Sequence, residues 1–275
     1  MIKDLVVNLV GRAPQDFTVD YAVSLAKAFD AHVTGIAFVY DPVIPDAGFG
    51  GIPVDVIEVQ RAEQAKAAKD AIDRFEAAAS KAGVAAQTRS IDASLGGAAT
   101  EFGRIARRFD VAVVGQAQRQ YGAAEELMIE GALFESGRPV IVVPYVQKQG
   151  VTLTHVLICW DGGRTAARAV ADAMPFLQRA QVVEILVVAE PRKHAQVTGA
   201  RLSEHLSRHG ITVEVKRIAK GDIGVEGAIL SHVADTGADF VVMGGYGHSR
   251  LREFVLGGVT RSILTSMSVP VLMSH

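Results

Sequence analysis

The chain has 275 residues, 49% of them apolar and 21% charged, and a formal net charge of −2. This is globular composition, enough for one large or two small domains, and it excludes a disordered chain. Near-neutral charge gives no electrostatic case for nucleic acid or an anionic membrane, and a single cysteine excludes a disulfide framework and any Cys-rich zinc site.

Taken in chain order, apolar runs predict strands at about 4–10, 32–40, 84–90, 111–115 and 139–144, with helical spacing near 16–29, 54–82, 96–108 and 125–136. Phe102, Ile105 and Ala106, for instance, share one helical face opposite Arg107 and Arg108. The same alternation then returns, with strands near 155–160, 181–189, 211–217, 239–243 and 270–273 and helices near 164–178, 196–209, 224–236 and 257–267. Cys159, inside the run VLICW, reads as a small buried hydrophobe. The opening MIKDLVVNLVGR has too short an apolar run for a signal peptide, and no run of about 18 apolar residues exists. A cytoplasmic protein is expected, with no membrane partner.

The two series are copies of one pattern. DLVVNLVGR from Asp4 matches HVLICWDGGR from His155, FDVAVVG from Phe109 matches ADFVVMGG from Ala238, and RPVIVVP from Arg138 matches VPVLMS from Val269. The landmarks recur in order, with a polar join near 147–153. Strand–helix alternation implies parallel sheets covered on both faces. The expected fold is therefore α/β: two tandem doubly wound domains, 1–147 and 153–275, each a five-stranded parallel sheet of order 3-2-1-4-5. The first copy is longer, mostly through DPVIPDAGFGGIPVDV at 41–56, a Pro- and Gly-rich stretch that reads equally as a lid or as an insertion or subunit contact.

The fourth strand of the second copy runs into VVMGGYGHSRLREFVLGGVTRSIL. Gly244, Gly247 and Gly257 are spaced so that a strand ends, turns on glycines and reaches a second glycine pair, Gly257 and Gly258, opening a helix at about Val259. Glycines admit close backbone approach, and a helix start offers free N–H groups to a phosphate. Thr260 adds a hydroxyl; His248, Arg250 and Arg252 are candidate cations, although His248 reads equally as a plain loop residue. In the expected strand order the switch point lies between the first and fourth strands, where ligands bind in open α/β sheets. Asp161, ending the first strand, would face the glycine loop and accept hydrogen bonds from an adenine amine or ribose hydroxyl. Alone, Asp-Gly-Gly-Arg-Thr reads as a helix cap; the glycine loop opposite it tips the reading toward a ligand. The second half carries 13 Lys+Arg against 11 Asp+Glu, the first half 15 against 19, so the second is the better host for an anion.

On these residues the chain resembles the universal stress protein family in its tandem form. Gly244, Gly247 and Gly257 match the G-x2-G-x9-G-[S/T] motif of nucleotide-binding members, Asp161 matches their first-strand aspartate, and Val188 in ILVVAEP matches a valine whose backbone faces adenine. One departure stands at Gly258, where the family has Ser or Thr. The resemblance implies ATP, with Mg²⁺, or another adenine nucleotide held by Asp161 and Val188 at the adenosine end. It places Gly244, Gly247, His248, Gly257, Gly258, Val259 and Thr260 at the phosphates. It also implies a stress-response regulatory role read by a protein partner the sequence does not name, and pairing of the last strands into an intramolecular pseudo-dimer, with a true homodimer left open. In the first copy Val10 replaces the aspartate, Gln116-Ala117-Gln118 follow Gly115, and Glu125 and Glu126 lie at the next helix start, so no nucleotide is expected there.

Other signals carry less. His205 and His209 have the i, i+4 spacing of metal ligands, but no third ligand accompanies them in a recognised motif, so a solvated helix face is expected. No Walker loop, no G-x-G-x-x-G after a strand and no G-x-S-x-G is present. No catalytic residue is named. The alternatives to a nucleotide-binding regulator are a nucleotide-independent scaffold and, at most, a slow ATPase or nucleotidyl-transfer relative.

Overall fold

A computed structural model describes residues 1–11, 16–41, 54–118, 123–189, 198–246 and 258–275. The first half runs β1 (Asp4–Leu9), α1 (Phe17–Phe29), β2 (His32–Tyr40), α2 (Val54–Ala82), β3 (Ala86–Ala93), α3 (Leu95–Ala106), β4 (Val111–Gly115), α4 (Ala123–Glu135) and β5 (Val140–Val143). The second runs β6 (His155–Cys159), α5 (Arg164–Leu177), β7 (Val182–Ala189), α6 (Ala200–Arg208), β8 (Val213–Ala219), a 3₁₀ turn, α7 (Gly224–Thr236), β9 (Phe240–Gly244), α8 (Val259–Ser266) and β10 (Val271–Ser274).

The strands form one sheet of order β3-β2-β1-β4-β5-β10-β9-β6-β7-β8. Each half thus has the expected 3-2-1-4-5 order with all-parallel pairing. The halves meet where β5 and β10 run antiparallel, Val142 opposite Val271 and Val140 opposite Met273. The short apolar terminal strands, which alone would be exposed edges, cover one another. Inner strands read as continuous apolar runs because helices bury both their faces. Edge strand β3 instead alternates between exposed and half-buried residues.

Two hydrophobic layers follow. One face of the sheet carries α1, α2, α5 and α6, and the other α3, α4, α7 and α8. Both layers cross the junction: Phe29 of α1 lies 5.1 Å from Phe176 of α5, which stacks on Phe240 of β9 at 5.2 Å. One device repeats at the amino ends of the strands. Asp110 accepts hydrogen bonds from the amides of Lys3 and Asp4, and Asp239 accepts them from Thr154 and His155. Each aspartate ties the first strand of its half to the fourth.

Several boundaries differ from the sequence reading: α4 starts at Ala123 rather than near 125, and α6 at Ala200 rather than near 196. The third strand of each half starts two residues later than expected, at Ala86 and Val213, and ends later. The cause is shared. Gly83 and Gly210 take positive φ after α2 and α6, and the next residues, Val84 and Ile211, donate back to Ala79 O and Leu206 O. Val84 and Ile211 are therefore the apolar anchors of helix C-caps, not strand residues. Most of the 41–56 stretch lies outside the described residues, but 54–56 are the first residues of α2 rather than loop.

Candidate functional site

β6 and β9 lie side by side and parallel, so the switch point of the second half is the crevice beyond Cys159 and Gly244. Two helix starts converge on the end of β9. A Cβ at Gly244 would sit 2.6 Å from the Ala166 amide and against Thr165 Oγ1, both in the first turn of α5. Thr260 Oγ1, in the first turn of α8, accepts from the amide of Tyr246 at 3.1 Å. The N-cap residues of the two helices are Gly163 and Gly258, and neither helix has a side-chain cap. The first turns of both helices thus lie at the end of β9, and neither helix start has a side-chain cap.

Asp161 stands two residues before the Gly163 N-cap, exposed, with Oδ1 accepting the Gly163 amide at 2.7 Å. It holds the turn without capping α5. Val188, half-buried near the end of β7, lies one strand out from β6. Gly258 and Val259 open α8, while Thr260 is buried and its oxygen is engaged with Tyr246. Tyr246 takes a positive φ of 49°, rare for a residue with a side chain, and its ring packs 5.1 Å from Phe134 of the first half's α4. Gly247, His248, Arg250, Arg252 and Gly257 lie outside the described residues.

The corresponding place in the first half is built differently. Counting from the pairs His155–Val182 and Asp4–His32, Phe38 stands where Val188 stands, and Val10 where Asp161 stands. The N-cap of α1 is Asp16, whose Oδ1 accepts from Thr18 and Val19. Glu125 of α4 accepts from the Gln118 amide at 2.7 Å. Both helix starts around β4 therefore carry carboxylates of their own. A cavity of about 580 Å³ opens between them. Burial raises the Asp16 carboxyl above its ordinary range, against the pull of the amides of Val19, Val10 and Thr18. In the second half, burial together with the negative Asp161 and Glu184 pushes the Cys159 thiol up to about 12, so this half-buried thiol is no nucleophile at neutral pH.

The model of the universal stress protein family matches residues 152–275. The second half of this chain belongs to the universal stress protein family. A curated universal stress protein of Synechocystis sp. is 28% identical over 178 residues, 60% of this chain and 57% of its own length, so the match spans little more than half of that relative. The crystal structure of a universal stress protein from Archaeoglobus fulgidus, 18% identical, superimposes with a TM-score of 0.72 over 98% of this chain and 97% of its own. That likeness shows that both halves share one tandem fold.

Within the universal stress protein half, one feature escaped the sequence reading. Glu184, buried in β7, is flanked by His155 at 3.2 Å and His232 at 2.6 Å. A carboxylate inside the run VVEILVVA was the available signal. His205 of α6 and His209, its C-cap residue, are exposed and pack edge to face at 4.8 Å. Among the described residues no three His, Cys, Asp or Glu side chains could hold a metal ion, and no helix is long and apolar enough to cross a membrane.

Proposed function

We propose that the universal stress protein half, 153–275, binds ATP with Mg²⁺ or another adenine nucleotide, and that 1–147 is its degenerate partner domain. The reading rests on one observation above the rest: two helix N-termini without side-chain caps converge on the end of β9. The amides of Gly258 and Val259, with Gly247, His248 and Gly257 from the preceding loop, hold the phosphates. Thr260 contributes by pinning the strand end to the helix start. Gly244 brings α5 close to β9. Asp161, with one carboxylate oxygen on Gly163 and the side chain open to solvent, receives the ribose or the adenine amine, and Val188 lines the adenine side. No group is assigned as a catalytic base, so the output is a nucleotide-dependent surface read by a protein partner in a stress response.

The close approach of Gly244 to α5 favours a second reading, a scaffold without nucleotide, because that glycine is required by packing alone. Calorimetric titration of ATP and Mg²⁺ separates the two. One site per chain, weakened at least about tenfold by Asp161→Ala, a loss of about 1.4 kcal/mol, supports the nucleotide reading. No heat at millimolar ATP supports the scaffold.

A further inference from the structure

The first half keeps a crevice at its own switch point, walled by the ends of β1, β2, β4 and β5, by the starts of α1 and α4, and by residues 60–68 of the 29-residue α2. Its 580 Å³ falls in the range of small-molecule sites, roughly 300–1,000 Å³. Four carboxylates line it, those of Asp16, Asp41, Glu63 and Glu125, and no Lys, Arg or His does so among the described residues. Such a lining repels a phosphate where its counterpart in the second half is built to receive one.

Two further observations define what the crevice suits. Asn8 on its β1 wall is only 6% exposed, and its Oδ1 has no hydrogen-bond partner among the described residues; the buried Oδ2 of Asp16 is likewise without one. Buried acceptors left open cost free energy that a donor from a ligand would recover. The remaining lining is mixed: Phe38 and Tyr40 stand side by side at 6.3 Å with Leu9 and Val143 at the strand ends, forming an apolar and aromatic strip, and Gln60, Gln64, Gln116 and Gln118 border it. Among the described residues no three of these acidic groups are arranged to hold a metal ion.

We infer that this crevice is a second ligand site, for a small organic cation: a protonated amine on an apolar or aromatic body. The ammonium N–H groups meet Asn8 Oδ1 and Asp16 Oδ2, with Glu63 and Asp41 supplying further negative potential. The apolar body lies along Phe38 and Tyr40, whose ring faces favour a cation nearby. The raised pKa of Asp16 agrees with a carboxylate buried ahead of its partner.

The test is a charge series on one body, titrated into the full chain by calorimetry: phenethylamine, 2-phenylethanol and phenylacetate. Phenethylamine is expected to bind at least about tenfold more tightly than the alcohol, and phenylacetate not at all at about 10 mM. The Asp16→Asn/Glu63→Gln variant is expected to lose at least about tenfold for the amine while binding ATP as the parent does. Asparagine keeps the α1 cap and Glu63 is exposed. Should the double variant fail to fold, Glu63→Gln alone carries the test, with a smaller loss confined to the amine. Equal binding across the series, no binding of phenethylamine at about 10 mM, or amine binding lost in Asp161→Ala but kept in the double variant would each overturn the inference.

Discussion

Asp16 and Asp161 stand in the connection after the first strand of their halves, and each carboxylate accepts backbone amides nearby. Asp161 does so at the surface, and Asp16 does so under burial that outweighs its amides. The sign of the consequence follows. The folded-state pKa of Asp16 lies above the unfolded 3.8, so the folded state binds the proton more tightly and the charged carboxylate costs stability at neutral pH. Asparagine at this position keeps the cap acceptor and carries no charge. Asp16→Asn is therefore expected to be more stable than the parent at pH 7. The gain shrinks as pH falls through the folded pKa of Asp16 and disappears below about 3.8, where both states of the parent are protonated. Urea unfolding of both proteins at pH 7 and pH 4 reads this directly. A variant weaker at both values would mean that the charged cap outweighs burial. The stability given up by Asp16 is what a site for a cation would require.

At the scale of elements, α3 and α4 show what periodicity reveals and what it hides. The apolar stripe of α3 is legible, and Phe102, Ile105 and Ala106 are all buried. How closely its neighbour approaches is not. A Cβ at Gly131 of α4 would lie 2.7 Å from the Ala99 carbonyl carbon and 3.0 Å from its Cβ, and one at Gly103 would lie 2.5 Å from Gly131 O. These glycines are a contact surface, and a one-dimensional pattern scores them only as weak helix formers. We expect Gly131→Ala to destabilise by about 1–3 kcal/mol, the overpacking cost exceeding the helix-propensity gain of about 1 kcal/mol. Gly96→Ala in the same helix pair, with open space around its Cβ, is expected to be neutral or stabilising by up to about 1 kcal/mol. Equal midpoints for the two variants in urea would show that the helices can separate without cost. The late starts of β3 and β8 were illegible for a related reason. An apolar residue after a glycine serves a C-cap or a strand equally well in sequence, and only the positive φ of Gly83 and Gly210 decides. In the candidate site, Asp161 and Gly244 stand just beyond β6 and at the end of β9, where the apolar runs put strand ends. The crevice of the first half was not legible, since Asn8, Asp16, Phe38 and Glu63 come from three separate elements and one connection and meet only after folding.

For the whole molecule the question is whether the halves fold as one. The β5–β10 ladder joins the sheets, both apolar layers run across the junction, and α1 docks on α5, where Arg179 lies over the Phe29 ring at 4.0 Å. The polar centre of the junction is Gln116, 3% exposed, whose Nε2 donates to Leu264 O of α8 at 2.8 Å while its Oε1 accepts from the Tyr145 amide at 3.2 Å. It is the residue that leads out of β4 beside the first crevice, and its partner lies in the helix that opens at Gly258 beside the second. The exposed ion pair between Arg261 and Glu126 at 3.7 Å adds little to the junction. Gln116→Leu leaves the Leu264 carbonyl and the Tyr145 amide without their side-chain partner, and a cost of about 2 kcal/mol is expected. Because the apolar layers remain continuous, unfolding should stay a single transition shifted to lower urea, with the fluorescence of Trp160, the one tryptophan, tracking far-UV dichroism of the entire chain. Two separated transitions in the parent would show that the halves are independent domains tied by a strand. Two transitions appearing only in Gln116→Leu would make this one side chain the element that couples the two crevices.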